Sequence, residues 1–172
     1  MAATVDAVRP QAEAGGVKVG AELHPGLQAA RADPQQLQRV LFNLIENAIH
    51  HTPPGGTVVV RAEPGRRHVR FEVADTGEGI AEVERERVFE AFFRGGAHTA
   101  RADAGAGLGL AIARAIVERH GGRIWLAGRG PGTCVRFSLP SASRGCRGIA
   151  GAPGGSARVR LPGGSGRRPR GA

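Results

Sequence analysis

The sequence is poor in cysteine, aromatic residues and lysine, and these shortages exclude several classes of protein. Its two cysteines, Cys134 and Cys146, form no CxxC pair, so neither a disulfide framework nor a cysteine metal site is predicted. No stretch approaches about 18 consecutive apolar residues, and the N-terminus has no basic region followed by an apolar run. We therefore expect a soluble chain with no export signal and no membrane span.

The positive charge is confined to one end of the chain. The net charge is +9, but residues 141–172 carry seven arginines and no acid, which leaves +9 − 7 = +2 for the remainder. This Gly-, Arg- and Pro-rich segment has few apolar residues, and its composition predicts a disordered tail. An RNA-binding tail would be expected to carry aromatic residues for base stacking, and this one has none, so no specific nucleic-acid partner is predicted.

The apolar pattern between the weakly patterned residues 1–16 and the tail predicts one α/β domain over residues 17–140. The element order is β-α-β-β-α-loop-α-β-β, which favours a mixed, mostly antiparallel sheet with about three helices on one face. Strands are predicted over residues 17–23, 57–62, 69–75, 123–127 and 133–139, and helices over residues 34–52, 82–92 and 108–120. Residues 94–106 are small, polar and without periodicity, and they are predicted to form a mobile loop.

The first long helix carries an unusual polar stripe. Asp33 and the proline after it are suited to begin this helix, and the helix ends before Pro53. Asn43, Asn47 and His50 recur one turn apart beside the apolar face, although Asn is a mediocre helix residue and is costly to bury without a partner. Taken alone, the stripe favours the ordinary polar edge of an amphipathic helix.

Two glycine-rich stretches follow. Asp75-x-Gly77-x-Gly79 ends a strand, where a carboxylate can accept a hydrogen bond from an amino group and glycines let a planar ring approach the backbone. Gly105-x-Gly107-Leu108-Gly109 opens a helix, whose free N–H groups bind phosphate well. Each stretch alone could be an ordinary turn or hinge. The second follows a loop and not a strand, so a dinucleotide-binding fold is not predicted.

Together, and in this order, the three stretches resemble the ATP-binding catalytic domain of sensor histidine kinases. Those domains belong to the superfamily of gyrase, Hsp90 and the mismatch-repair ATPases. Residues 88–94 are similar to the family's phenylalanine box and residues 130–133 to its last glycine box, and the resemblance covers the chain from Val5 to Pro140. It implies a two-layer α/β sandwich of the Bergerat type, with ATP and Mg²⁺ as cofactors and an ATP lid at about residues 94–106.

The resemblance also implies roles for individual residues. Asn47 would ligate Mg²⁺, with Asn43 helping through a water, and Arg94 would neutralise charge on the transferred phosphoryl group. Asp75 would accept from the adenine amino group. The other nucleotide-binding residues that the resemblance implies are His50, His51, Gly77, Gly79, Ile80, Gly105, Gly107, Leu108, Gly109 and Thr133.

Asn43 favours one activity within the superfamily. Hydrolytic members and anti-sigma-factor serine kinases place a Glu base there, whereas an amide cannot take a proton. Transfer to an already nucleophilic imidazole is therefore expected. Glu46 is either a weak base or a solvated residue on the helix face. An anti-sigma-type serine kinase and a non-catalytic ATP-binding module remain the alternatives.

Two features depart from the family pattern. His50 stands where histidine kinases commonly have Lys or Arg, so a lower or pH-sensitive ATP affinity is expected. No histidine fits the family's phosphoacceptor motif, so the chain is expected to need the histidine of a dimerisation domain, and to be inactive in autophosphorylation alone. Residues 1–16 would be a remnant of the linker to that domain. A response regulator would be an indirect partner, and the location would be cytoplasmic, although a full-length relative could be membrane-anchored.

Overall fold

The computed structural model describes residues 1–95, 106–128 and 131–142. Within these ranges the chain forms three α-helices, five strands and one 3₁₀ turn over Glu82–Glu84. The helices are α1 (Ala2–Ala14), α2 (Pro34–His50) and α3 (Gly109–Arg119), and the strands are β1 (Lys18–Leu23), β2 (Thr57–Pro64), β3 (His68–Asp75), β4 (Arg123–Leu126) and β5 (Cys134–Pro140). Residues 96–105, most of the predicted lid, lie outside the described residues, as does the tail after Ala142.

The five strands form one mixed sheet in the order β1-β2-β3-β5-β4. β1 pairs with β2 in parallel, and every other pair is antiparallel. All three helices pack on the same face of this sheet, with α2 between α1 and α3. The predicted two-layer α/β fold is therefore confirmed.

The core lies between the helices and one face of the sheet because side chains alternate along the strands. Phe71 on β3 stacks on Phe137 of the neighbouring β5, with ring centroids 4.7 Å apart. The alternate residues of the three central strands that are buried are Val58, Val60, Ala62, Val69, Phe71, Val73, Val135, Phe137 and Leu139. α2 covers them with a stripe at helical spacing, which consists of Val40, Leu41, Leu44, Ile45, Ala48 and Ile49.

The prediction that residues 1–16 are weakly structured is wrong. Residues 2–14 form α1, and Val5, Val8 and Ala12 on one side of it are 3%, 1% and 1% exposed in the common core. The spacing of these three residues places them on one helix face, which packs against α2 and β1. α1 is thus part of the folded domain. Its suggested origin as a linker remnant stays a prediction.

The predicted helix over residues 82–92 is also wrong. Only the 3₁₀ turn forms there, followed by single turns, such as the bond from the Val88 amide to the Glu84 carbonyl. Val88 is buried but Val83 is 86% exposed, so the segment lacks a continuous apolar face for packing a helix. Phe92 then adopts a left-handed backbone with φ of 64°, which no helix can continue through.

Candidate nucleotide-binding site

The polar stripe of α2 lies at the edge of its buried face, as its spacing predicts. Asp33 caps the helix, and its Oδ1 accepts from the amides of Gln35 and Gln36 at 2.8 and 3.0 Å. Asn43 and Asn47 are half-buried, whereas Glu46 is exposed. The Asn43 amide nitrogen donates to the carbonyl of Gly109 at 3.3 Å, which joins the stripe to the first residue of α3.

A second part of the site is built around Asp75 at the end of β3. Its Oδ1 accepts from the backbone amides of Gly77 and Thr133, both at 2.9 Å. Burial raises the pKa of Asp75 above its ordinary value, although these two bonds and the charge of His51 act in the opposite direction. The carboxyl is therefore fixed in a half-buried position, where it can accept a hydrogen bond from a ligand that excludes water.

Glycines beside Asp75 are required by close backbone contacts. A Cβ at Gly77 would overlap the His51 carbonyl, and a Cβ at Gly79, where φ is +79°, would lie 3.2 Å from the Gly132 carbonyl. Gly132 lies in the predicted last glycine box but was not among the predicted binding residues: its φ is +84° and its Cβ would overlap the Asp75 carbonyl. The Pro131-Gly132 dipeptide, a strong turn signal, could have identified it.

The remaining predicted residues of this end of the site lie nearby along the chain. His51 caps the C-terminus of α2, and its ring meets that of His50 edge-on with 5.1 Å between the centroids. Ile80 and Thr133 are half-buried. Thr133 also pairs with Asp75 through its carbonyl, which accepts from the Asp75 amide at 2.9 Å. β3, the turn after it and the start of β5 therefore form one wall.

The start of α3 forms the other end of the site. Gly107 has φ of +68°, and a Cβ there would lie 2.8 Å from the Phe93 carbonyl. The Phe92 amide donates to the Gly107 carbonyl at 3.0 Å, which ties together the chain on either side of residues 96–105. Leu108 caps α3 without a side-chain hydrogen bond, and within the described residues nothing outside the helix accepts from its first amides, which suit an anion.

Two predicted residues are not placed in this arrangement. Arg94 is described and exposed, and it stands at the border of the predicted lid. Gly105 lies outside the described residues.

The protein oxygens of this site suit a hard divalent cation that is also bound by oxygens of a second molecule. They do not suit a metal site made of protein side chains alone. In the described parts of the chain, no three His, Cys, Asp or Glu side chains gather to hold a metal ion. The Asn47 side-chain amide forms no hydrogen bond with the described residues, so its oxygen can serve as a ligand. Mg²⁺ typically takes one or two protein oxygens and completes its shell with phosphates and water.

Comparison with known proteins identifies the class to which this fold and site belong. Residues 32–143 match the family model described as histidine kinase-, DNA gyrase B-, and HSP90-like ATPase. This match covers more than half of the chain, and the chain belongs to that family.

The similar curated proteins are sensor kinases of bacteria. The histidine protein kinase DivJ of Caulobacter vibrioides is 37% identical over 134 residues, which are 77% of this chain and 22% of the relative. The alginate biosynthesis sensor protein KinB of Pseudomonas aeruginosa is 38% identical over 76% of this chain and 21% of the relative. The chain therefore spans about a fifth of the length of these two kinases.

Solved structures agree with the fold. The nucleotide-free catalytic domain of the histidine kinase ThkA has a TM-score of 0.70 and 28% identity, and the match covers 81% of this chain and 90% of that one. Full-length ShkA, solved with AMPPNP, has a TM-score of 0.71 and 33% identity over 81% of this chain and 29% of that one. The resemblance to the catalytic domain of sensor histidine kinases is therefore confirmed.

None of the helices described is both long and apolar enough to cross a bilayer.

Proposed function

We propose that this chain binds Mg·ATP and transfers the γ-phosphoryl group to a histidine on a separate dimerisation domain, in the cytoplasm. The observation that carries the proposal is the bond from Asn43 to the Gly109 carbonyl. It supports the proposal because it holds the amide stripe, with its proposed cation ligands, against the glycine-rich helix start. AMPPNP bound to ShkA supports a nucleotide of this kind.

In this proposal, the phosphate end of the site uses oxygen ligands and backbone amides. Asn47 would hold Mg²⁺ through its side-chain oxygen and Asn43 would help to hold it through a water, because carbonyl oxygens suit a hard cation. When bound, the ion would supply positive charge beside the phosphates. The amides at Gly107, Leu108 and Gly109 donate to phosphate oxygens at the N-terminus of α3. His50, Arg94 and Gly105 complete this end.

At the other end, Asp75 accepts a hydrogen bond from the adenine amino group. Gly77, Gly79 and Ile80 lie along the ring, and His51 and Thr133 stand beside the carboxylate. The hydrogen bonds from Gly77 and Thr133 fix the carboxylate before a nucleotide arrives, which lowers the ordering cost of binding.

Phosphoryl transfer is favoured over hydrolysis because the turn of α2 that faces Gly109 carries an amide and not a carboxylate. A neutral imidazole nitrogen of the acceptor needs no base to attack the γ-phosphorus. The new P–N bond forms as the bond to the bridging oxygen breaks and ADP leaves. Glu46 is exposed and three residues from Asn43, so it would at most orient the acceptor.

The histidine phosphoacceptor lies on another segment or protein, so the chain alone is not expected to phosphorylate itself. A response regulator would receive the phosphoryl group afterwards. The structure of ThkA in complex with the response regulator TrrA supports such a partner for this class of kinase.

The test uses the whole chain, [γ-³²P]ATP with Mg²⁺, and the separately expressed dimerisation domain of a similar kinase. We expect acid-labile phosphohistidine on the dimerisation domain, and we expect Asn47→Ala to abolish it. Gln38→Ala is the matched control, because it removes an exposed amide from the same helix. Tight ATP binding without any transfer would instead support the non-catalytic module, and phosphoserine would support the serine kinase.

A further inference from the structure

The sheet has a second face, which the helices do not cover, and a groove of about 540 Å³ lies on it. Its lining includes Arg66 and Arg67 from the β2–β3 turn, His68 and Arg70 on β3, Ser138 on β5 and Trp125 on β4. Pockets for small ligands typically have volumes of roughly 300–1,000 Å³, and this groove, which is open to solvent, falls within that range.

The strand register explains why a groove forms there. Ser138 pairs with Arg70 on one side and with Arg123 on the other, so a small residue stands between two long ones. All three lie on the solvent face, because Phe71, Phe137 and Ile124, which alternate with them, are buried on the helix side.

The charge of this groove is poorly compensated. Glu72, a half-buried carboxylate two residues from Arg70 on the same face of β3, is engaged by Arg61 and Arg136 at 2.9 and 2.6 Å. Glu63 lies 4.0 Å from Arg70, and both side chains are more than half exposed, which makes a weak pair. Within the described residues, no carboxylate lies within salt-bridge distance of Arg66 or Arg67.

An aromatic ring stands at the end of this cationic row. Trp125 is half-buried, and the Arg123 guanidinium lies 5.8 Å from the centroid of its ring. Guanidinium groups bind phosphate with two parallel hydrogen bonds, and an indole face stacks on planar rings. The lining therefore offers partners for both parts of a molecule that joins a phosphate to a flat ring.

We propose that this groove is a second ligand site, which binds a nucleoside phosphate separately from the ATP site. Arg66, Arg67 and Arg70 hold the phosphate, and Trp125 stacks on the base. The two sites are separate because Asp75 shares the helix side of β3 with Val73, whereas Arg70 is on the solvent side. Asp75 is also five residues further along β3, about 16 Å at the usual rise of a strand.

Trp125 is the only tryptophan of the chain, so its fluorescence reports on this groove directly. The probe is GDP, because a guanine presents a carbonyl where the Asp75 site needs an amino group. We expect GDP to quench Trp125 with a dissociation constant of about 1 mM or lower. The Arg67→Gln/Arg70→Gln variant should weaken this binding by about tenfold or more, while its ATP affinity by calorimetry stays unchanged.

The matched control is Arg9→Gln/Arg119→Gln, which removes the same charge from α1 and α3 and should leave GDP quenching unchanged. Unchanged thermal unfolding of both double variants shows that the fold is intact. Three results would overturn the proposal. They are no quenching by GDP, an equal loss of affinity in both double variants, and inorganic pyrophosphate binding as tightly as GDP.

Discussion

Asp75 binds the adenine in the proposed function, and its burial has an unfavourable effect on folding. Burial raises the pKa of Asp75 in the folded chain, so its ionisation is less favourable there than in the unfolded chain. An Asp in an unfolded chain has a pKa of about 3.9. The folded state is thus penalised progressively as the pH rises above about 4, and the penalty is complete above the raised pKa. Below that window the carboxyl is neutral in both states and the penalty disappears.

We therefore predict that Asp75→Asn is as stable as the wild type or more stable at pH 7. The Asn oxygen can still accept from Gly77 and Thr133, but it carries no charge to desolvate. ATP affinity should fall by about 10- to 100-fold, because a hydrogen bond to a charged acceptor is lost. Thermal unfolding between pH 3 and pH 8 and calorimetric ATP titration measure both effects. The expected outcome is wrong if the stability of Asp75→Asn, measured relative to the wild type, is lower at pH 7 than at pH 3.

Gly132 provides a second test at the residue scale. Its positive φ is strained for any other residue, and an added Cβ would overlap the Asp75 carbonyl. Gly132→Ala should cost about 3 kcal/mol or more in unfolding free energy and should also weaken ATP binding. Gly55→Ala is the control: φ is +86° there, but nothing lies within 4 Å of the added Cβ, so only the backbone cost of about 1 kcal/mol is expected. Equal losses in urea unfolding would show that the contact with Asp75 is unimportant.

What the sequence did not reveal is which distant segments come into contact. Asp75 and its glycines form a local pattern, and the pattern predicts them. The contact of Asn43 with Gly109 spans 66 positions, and the approach of Gly132 to Asp75 depends on how β5 pairs with β3. Nothing in a single sequence fixes that register, so Gly132 was missed although its turn was expected.

At the scale of elements, the strands and the helices α2 and α3 were predicted to within about two residues, because each has a clear hydrophobic period. α1 was missed because only Val5, Val8 and Ala12 mark its buried face and because Pro10 lies inside it. Tertiary packing on α2 and β1 compensates for this weak local preference. In contrast, residues 82–92 contain good helix formers but have too few apolar positions on one side to pack as a helix.

The contribution of α1 to stability can be measured with one substitution. Val8 is 1% exposed, and Val8→Ala should cost roughly 2 kcal/mol, from the lost methyl groups and the cavity left between α1 and α2. Gln11→Ala changes an exposed position of the same helix and should have almost no effect. Denaturant unfolding compares them. If the two variants unfold alike, α1 is not part of the cooperative fold.

At the scale of the whole molecule, the fold and the basic tail can be separated experimentally. The last described contacts of the chain are the bonds from the Ser141 amide to the Arg67 carbonyl and from the Ala142 amide to the Ala29 carbonyl. All seven arginines of the tail follow Ala142. Truncation after Ala142 would therefore reduce the net charge from +9 to +9 − 7 = +2 while it keeps every strand of the sheet.

We predict that this truncated chain keeps the melting temperature and the ATP affinity of the full chain, and that it loses most of any salt-dependent affinity for polyanions such as heparin. Each lysine or arginine contact to a polyanion adds to the salt dependence, so removal of seven charges should have a large effect. Truncation after Ser138 is the contrasting variant, because it also removes Leu139, which is 2% exposed and pairs with Val69. Loss of that side chain alone should cost about 2–5 kcal/mol. A marked fall in melting temperature after truncation at Ala142 would instead show that the tail contributes to the fold, and its charge could then no longer be treated apart from the domain.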